Sequence, residues 1–381
     1  MKIAILGYGV VGSGALEVLS NAGYSVKKVL DIRPHPELGD KLTSNYDDIL
    51  NDKEIGVVAE AIGGLEPAHT FVVKALKAGK HVVSSNKHLI CEYFEELHSL
   101  AVENGVTIRF TSAVGGGIPW LYNLKRSVRC DSIYKVMGIM NGTTNFILDA
   151  MISQGRDFDE VLKEAQALGY AEANPSADID GLDTGRKTAI SSSLAFNTIV
   201  REENVSILTM RTIKKCDIDY ITGKLNKTVR YMGFGVLNEN GISAYVEPTL
   251  LESDALEANV NKNFNMITLF GKSVGRLSFY GQGAGKYPTG NALAQDIIDI
   301  INGARRVIYN PCNASVDNSL ENKKYYIRTS LDINDACFDS VDKIDGYNHI
   351  ITGSVAVSYA HELIKTIWEK DPAAFCAGIE E

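Results

Sequence analysis

Clustered positive charge is missing from this 381-residue chain: 38 Lys and Arg are set against 47 Asp and Glu, for a formal net charge of -9. Nucleic acids and anionic membrane surfaces both select for basic clusters, so the composition argues against either partner. No apolar run reaches the roughly 18 residues of a membrane span, and no signal-peptide pattern precedes the first apolar run. The six cysteines, Cys91, Cys130, Cys216, Cys312, Cys337 and Cys376, are scattered, with neither C-x-x-C spacing nor histidines at metal-ligand spacing. That pattern predicts reduced thiols in a cytoplasmic protein and gives zinc no ligand set. Of seven histidines only His88, beside Lys87, falls within a motif. There is no internal repeat and no low-complexity linker. What remains is ordinary globular composition, 45% hydrophobic and 22% charged, on a chain too long for one core and therefore expected to form two or three domains.

The first organised stretch is KIAIL (Lys2 to Leu6), then GYGVVG, then an Ala/Leu/Val pattern to Asn21. This reads as strand, glycine turn and helix. Gly7 suits the tight turn, Gly9 lets backbone approach a pyrophosphate, and Gly12 lets helix and strand pack closely. A second strand, Ser25 to Leu30, ends at Asp31, where a dinucleotide fold wants an acid on the adenosine ribose. Asp31 favours NAD, whereas Arg33 two residues on offers a guanidinium to a 2′-phosphate, so the cofactor stays NAD(P).

Strands and helices then alternate: a short helix at Tyr46 to Asn51, a strand at Val57 to Ile62 closed by Gly63 and Gly64, and a helix opened by Pro67 and ended by Gly79. They continue with a strand at His81 to Ser84, a turn at Ser85-Asn86-Lys87, a helix from about Glu92 to Glu103, and a strand at Val106 to Phe110. Such alternation predicts a parallel, doubly wound sheet with its ligand crevice at the carboxyl ends of the strands. Lys87 and the loop SAVGGGIP (Ser112 to Pro119) both follow strands and should open onto that crevice. By position alone Lys87 reads equally well as a solvated loop lysine. After Trp120 the pattern changes, with a strand at Ser132 to Ile139, a turn at MNGTTN (Met140 to Asn145) and two helices to about Leu168. A separate mixed sheet is expected between Val205 and Tyr280, followed by the glycine-rich GQGAGKYPTG (Gly281 to Gly290) entering a helix.

Between the two helices and that sheet lies GYAEANPSADIDGLDTGRK (Gly169 to Lys187), which packs Glu172, Asp178, Asp180 and Asp183 ahead of Arg186 and Lys187. A helix starting near Asp183 puts this acid at the favourable end of the dipole and Lys187 at i+4 on the same face. Taken alone, the stretch also reads as a solvated acidic turn with a surface ion pair.

Together, and in this order, GYGVVG, SSNKHL, SAVGGGIPW with GIMNGTTNFIL, and EAQALGYAEANPSADIDGLDTGRKTAI resemble homoserine dehydrogenase, and GAGKYPTGNALAQDIIDI resembles that family's glycine-rich return segment. The resemblance spans roughly residues 1 to 315, and the acidic island is its most specific part. It implies a Rossmann-type doubly wound parallel sheet plus a central α+β substrate and dimerisation domain. The implied boundaries are 1–130 with 285–318 for the nucleotide domain, 131–284 for the central domain and 319–381 for a C-terminal tail. The implied activity is NAD(P)-dependent interconversion of homoserine and aspartate 4-semialdehyde by a homodimer.

By resemblance, cofactor contacts fall on Gly7, Gly9, Val10, Val11 and Gly12, on Asp31 and Arg33, on Ile62 and Gly63, on Ser85, Asn86 and Lys87, and on Ala113, Gly283 and Gly285. Substrate contacts fall on Glu172, Asp178, Asp183, Gly142 and Thr143. Homoserine is a zwitterion with a terminal hydroxyl, so anionic groups suit its ammonium. The proton-transfer residue is implied to be Lys187, with Lys87 assisting. Two ammonium groups near one carbonyl oxygen would hold at least one lysine pKa down toward neutrality. The resemblance also implies a sodium ion on the backbone carbonyls of Thr111, Val114, Gly116 and Ile118.

The chain departs from the long members of the family after KKYYIRTSLD, where about fifty residues remain instead of a complete βαββαβ regulatory (ACT) unit. A truncated ACT-like tail is expected, with helices at Asn334 to Val341 and Gly353 to Glu369 and a strand at His349 to Thr352. Two other readings stay open at this point: a different amino-acid-pathway oxidoreductase, and a catalytically silent nucleotide sensor.

Overall fold

The opening alternation of apolar strands and helices becomes a parallel sheet. In this computed structural model, which describes residues 1–304, 311 and 314–380, the chain divides into two compact units. Met1–Arg126 with Gly281–Pro311 form one, and Ser127–Tyr280 with Cys312–Glu381 the other. The expected thiol of Cys312 lies outside the described residues; the other five cysteines are present as thiols.

In the first unit, β1 (Lys2–Leu6), β2 (Val26–Leu30), β3 (Leu42–Thr43), β4 (Ile55–Glu60), β5 (His81–Ser84) and β6 (Ile108–Arg109) pair in the order 3-2-1-4-5-6. Every pairing is parallel. This is the Rossmann order, whose reversal between β1 and β4 creates a crevice at the strand ends. The helices are α1 (Val10–Asn21), α2 (Asp47–Leu50), α3 (Ala68–Lys77), α4 (Lys87–Glu103), α5 (Trp120–Ser127) and α11 (Lys286–Ile301). Ile3, Ile5, Val26, Val57 and Val83 of the sheet pack with Ala15 and Leu19 of α1 and with Leu293 and Ile297 of α11. The glycine-rich return segment thus contributes a core helix to the N-terminal fold.

The second unit contains β7 (Ile133–Ile139), α6 (Gly142–Gln154), α7 (Phe158–Ala167), α8 (Ser176–Ile179), α9 (Leu182–Phe196), β8 (Ser206–Ile207), α10 (Lys215–Gly223), β9 (Lys227–Asn238), β10 (Gly241–Glu252), β11 (Phe264–Gly271) and β12 (Gly275–Gln282). It ends with β13 (Asn322–Thr329), β14 (Phe338–Ile344), β15 (Tyr347–Thr352), β16 (Val355–Ala356), α12 (Val357–Trp368) and β17 (Phe375–Ile379). Nine strands follow the order 12-11-7-9-10-17-13-15-14, with β8 and β16 pairing off that path. The last segment therefore joins the central sheet: β17 runs parallel to β10 and antiparallel to β13.

Helix α9 lies against β9, β7 and β10 and is buried along nearly its whole length, although its sequence is rich in Ser and Thr. Small side chains explain how it fits. A Cβ on Gly233 would fall 2.0 Å from Thr188 Oγ1, and one on Gly235 would fall 2.0 Å from Ser192 Oγ. Glycines on the strand thus admit the helix at close range.

Several local expectations are corrected. Residues 140–145 do not form a turn: Asn141 caps α6, its side chain accepting from the Thr144 N–H at 2.9 Å, and the helix begins at Gly142. Helix α4 starts at Lys87 and not near Glu92, because Asn86 caps it by accepting from the Leu89 N–H. The strand expected at 106–110 is only Ile108–Arg109. Asn334 to Val341 is not helical. Phe338–Ile344 is a strand hairpinned onto β15 through Asp345 and Gly346, both at positive φ (51° and 82°), the conformation a two-residue type I′ turn demands.

Candidate functional site

The glycine turn after β1 is built by close approach. Gly7 has φ +91°, and a Cβ on Gly12 would lie 1.9 Å from the Gly7 carbonyl oxygen, so neither position takes a side chain. Gly9 differs: a Cβ there would meet nothing within 4 Å. The space over Gly9 is an open cradle at the N-terminal end of α1, whose first turn, including Val10 and Val11, carries no acidic residue. Outward N–H groups and the positive end of the dipole make it a fitting seat for a pyrophosphate.

Asp31 closes β2 beside that turn. Its Oδ2 accepts from the Tyr8 N–H at 2.8 Å, and its Oδ1 from the Arg33 N–H at 2.9 Å. The Arg33 guanidinium clamps both oxygens, Nε to Oδ1 at 3.1 Å and Nη2 to Oδ2 at 3.0 Å. That guanidinium, outweighing burial, holds the carboxyl well below the usual carboxylate range. The two residues weighed separately in the sequence are therefore one bidentate pair, with Arg33 62% exposed and Asp31 nearly buried.

At the ends of β4 and β5 the organiser is a residue that sequence reasoning missed. Glu60 is fully buried. Its Oε1 accepts from the N–H groups of Ile62 (2.8 Å) and Gly63 (3.2 Å) and from Asn86 Nδ2 (3.5 Å), and its Oε2 from Ser84 Oγ (2.5 Å). Burial pushes this carboxyl up, against those donors. Asn86 also donates to the Gly64 carbonyl at 2.6 Å, and the Ser85 N–H bonds the Glu60 carbonyl at 3.1 Å. Lys87 is the first residue of α4 and is half-buried. The only signal in the sequence was an acid ending an otherwise apolar strand three residues before a glycine pair.

The SAVGGGIP loop is fastened from α11. Asp296, fully buried, accepts from the Thr111 N–H (2.8 Å) and Thr111 Oγ1 (2.9 Å); burial raises its pKa. Ala113 and Val114 are buried, Gly116 has φ +54°, and a Cβ on it would strike the Gly283 carbonyl at 2.5 Å. The Ile118 N–H returns to the Gly115 carbonyl at 2.8 Å. Gly285 precedes α11 with φ +118°. Thus Gly116 and Gly283 are brought together, as are Ile62, Gly63 and Asn86.

In the second unit the acidic island closes on Lys187. Helix α9 begins after Gly181, whose φ is +88° and whose Cβ, were there one, would lie 2.1 Å from the Tyr231 hydroxyl. Glycine is the one residue that satisfies both. Upstream, Asp180 is held by Arg211, Nη2 to Oδ2 at 2.7 Å, and by Thr209 Oγ1 at 2.9 Å. Lys187 is 7% exposed and so is Asp183. The Lys187 ammonium donates to Asp183 Oδ2 at 2.7 Å and to the Met140 carbonyl at 2.6 Å. Asn141 Nδ2 then donates to Asp183 Oδ2 at 2.9 Å and to Asp178 Oδ1 at 2.7 Å. The i+4 spacing is realised in a buried network, so the solvated-turn reading is discarded.

Gly142 and Thr143 open α6 beside this network. A Cβ on Gly142 would meet the Asn263 carbonyl at 2.7 Å, and Thr143 Oγ1 donates to the Tyr170 carbonyl at 2.6 Å. Glu172 stands apart, exposed on the segment between α7 and α8. Lys87 and Lys187 belong to different units. Asn141 escaped sequence reasoning because its role is tertiary, although Asn three residues before Thr144 was a legible cap signal.

Comparison with known proteins decides the family. Residues 7–111 match the family described as homoserine dehydrogenase, NAD binding domain, and residues 119–298 match homoserine dehydrogenase. Homoserine dehydrogenase from Synechocystis is 38% identical over 321 residues, covering 79% of this chain and 73% of that protein. The Bacillus subtilis enzyme is also 38% identical, over 80% of this chain and 74% of its own length. The chain belongs to the homoserine dehydrogenase family. The crystal structure of a homoserine dehydrogenase from Thiobacillus denitrificans superposes with a TM-score of 0.90 at 30% identity, over 100% of this chain and 98% of that one. The agreement extends through the C-terminal segment that looked like a truncated tail. As in that family, the fold is a Rossmann-type sheet with a separate mixed sheet, and the protein is a nicotinamide-dependent oxidoreductase acting on a CH–OH group. Among the described residues no cluster of His, Cys, Asp and Glu is arranged to hold a metal, and no helix is long and apolar enough to cross a membrane.

Proposed function

We propose that the chain interconverts L-homoserine and L-aspartate 4-semialdehyde in threonine and methionine biosynthesis, with Lys187 moving the proton. The observation that carries this reading is the buried ammonium of Lys187, fixed between Asp183 and the Met140 carbonyl on a chain of this family. An ammonium has three N–H groups. Two are engaged here, and the third is assigned to the substrate oxygen. When bound, the nicotinamide supplies or accepts the hydride at the adjacent carbon. In reduction, Lys187 stabilises the developing alkoxide and gives it a proton; in oxidation, the neutral amine takes that proton back. Asp183 and Asn141 keep the amine aimed, and Lys87 assists from the start of α4.

The substrate ammonium is assigned to Glu172, Asp178 and Asp183, and its carboxylate to the first N–H groups of α6, at Gly142 and Thr143. The cofactor is assigned to the Gly9 cradle with Val10 and Val11, the Asp31–Arg33 pair, and the loops at Ile62–Gly63, Ser85–Lys87, Ala113, Gly283 and Gly285. Arg33 supports use of NADP as well as NAD, since its exposed guanidinium can turn from Asp31 to a 2′-phosphate. The carbonyls of Thr111, Val114, Gly116 and Ile118 are assigned a sodium ion. In support, the N–H and Oγ1 of Thr111 are both fastened onto buried Asp296, which fixes the start of that loop. Residues 1–130 with 285–318 are the nucleotide domain in this reading, 131–284 the substrate and dimerisation domain of a cytoplasmic homodimer, and 319–381 its C-terminal extension.

The test is steady-state absorbance at 340 nm with homoserine and each cofactor in turn. Saturable turnover that Glu172→Gln shifts mainly in KM supports the assignment. No turnover with homoserine, but turnover with another amino alcohol or hydroxy acid, overturns it.

A further inference from the structure

Glu60 is a buried acid of the first unit that the proposed chemistry leaves unused. Its carboxyl is fully buried at the carboxyl end of β4, and the four groups that reach it are neutral donors: two backbone N–H groups, a carboxamide and a hydroxyl. An acid in such a place is costly compared with an apolar residue. What it achieves is a joint. The loop after β4 supplies the Ile62 and Gly63 N–H groups, and the loop after β5 supplies Ser84 and Asn86. Asn86 then reaches back to the Gly64 carbonyl at 2.6 Å and caps the helix whose first residue is Lys87. Ser84 Oγ, while donating to Glu60, accepts the Asn86 N–H at 3.0 Å. With two successive N–H groups drawn inward, the backbone of the first loop has its donors committed to the protein.

We propose that Glu60 is a positioning residue for the cofactor, locking the 61–64 and 84–87 loops into one surface. The inference rests on the assignment of Ile62, Gly63, Ser85 and Asn86 to the cofactor. It does not depend on which alcohol is oxidised.

The experiment compares Glu60→Leu with Glu60→Gln by fluorescence titration of NADH and NADPH, which reads cofactor binding with no substrate present. Leucine keeps the bulk but removes every acceptor; Gln restores the acceptor for Ile62 and Gly63 and can donate to Ser84 Oγ. Glu60→Leu is expected to raise the cofactor Kd by ten-fold or more, and Glu60→Gln to return it to within about three-fold of wild type, a bond-dependent difference that bulk alone would not produce. KM for homoserine is expected to stay within two-fold in both. Wild-type affinity in a folded Glu60→Leu protein overturns the proposal, as does an equal loss in both variants. If Glu60→Leu does not fold, Ser84→Ala, which removes the hydroxyl that links Glu60 to the Asn86 N–H and leaves the assigned cofactor contacts in place, is expected to raise cofactor Kd by several-fold, and an unchanged value overturns the proposal. Absence of turnover with homoserine alongside normal cofactor binding would count against the substrate reading and leave this one standing.

Discussion

Replacing Lys187 with Met keeps most of the aliphatic stem and removes the ammonium. An exposed i,i+4 ion pair contributes only a few tenths of a kcal/mol, but Lys187 and Asp183 are each 7% exposed. The ammonium also satisfies the Met140 carbonyl. Charge-assisted hydrogen bonds contribute about 1.5–3 kcal/mol each, and removing one partner of a buried pair costs about 3–5 kcal/mol because the other charge is left behind. Lys187→Met should therefore lower stability by that larger amount, readable as a drop in urea midpoint, and lower kcat by roughly 10² to 10⁴. Cofactor affinity, measured by fluorescence, should hardly move. The two effects separate in Lys187→Met with Asp183→Asn: neutralising the stranded carboxylate should recover much of the stability and none of the turnover. A folded Lys187→Met enzyme with near-normal kcat and an unchanged pH profile would refute the proton-transfer role, and recovery of activity in the double variant would refute the separation.

Three further outcomes are expected. Arg33→Ala should weaken NADPH more than NADH, by about 1–3 kcal/mol for one charge-assisted contact, and equal losses by titration would remove Arg33 from phosphate recognition. Lys125 sits over the Phe110 ring at 4.3 Å, and burial pulls its pKa down to about 8, below the ~10.4 of an unperturbed lysine. Across that interval the unfolded chain holds a proton that the folded chain does not, so this group makes stability rise with pH from about 8; Lys125→Met should flatten the rise in urea midpoints, and an undiminished slope would count against the assignment. The sheet ends in the edge strand β12, preceded by exposed Val274 and carrying exposed Tyr280, and an isologous dimer covering such an edge should give twice the monomer mass in static light scattering, whereas a fully active monomer at micromolar concentration would contradict it.

The features legible in the sequence are those whose physics is local. The glycines after β1 declare the turn because no other residue tolerates the Gly7–Gly12 approach, and Asp31 declares itself by ending the next strand. The i+4 spacing of Asp183 and Lys187 was readable as well, but their burial was not. It depends on Gly233 and Gly235, some fifty residues downstream, letting β9 come up against α9. Glu60 and Asn141 were missed for the same reason: each is a single polar residue whose partners come from other elements. At 338–347 the miss was avoidable. Asp345-Gly346 is a strong hairpin signal, and reading it would have turned the expected helix into the β14–β15 hairpin.

The tight seating of α9 bears on how such an enzyme can be retargeted. At Thr184, Thr188 and Ser192 the helix faces the glycines of β9, so atoms removed there leave a gap against the sheet and make no space for a substrate with a longer or bulkier side chain. Directed variation is better confined to residues 170–178, where Tyr170, Glu172, Ala173 and Asn174 face solvent. Libraries built there can alter which amino alcohol is held while the proton-transfer group keeps its place.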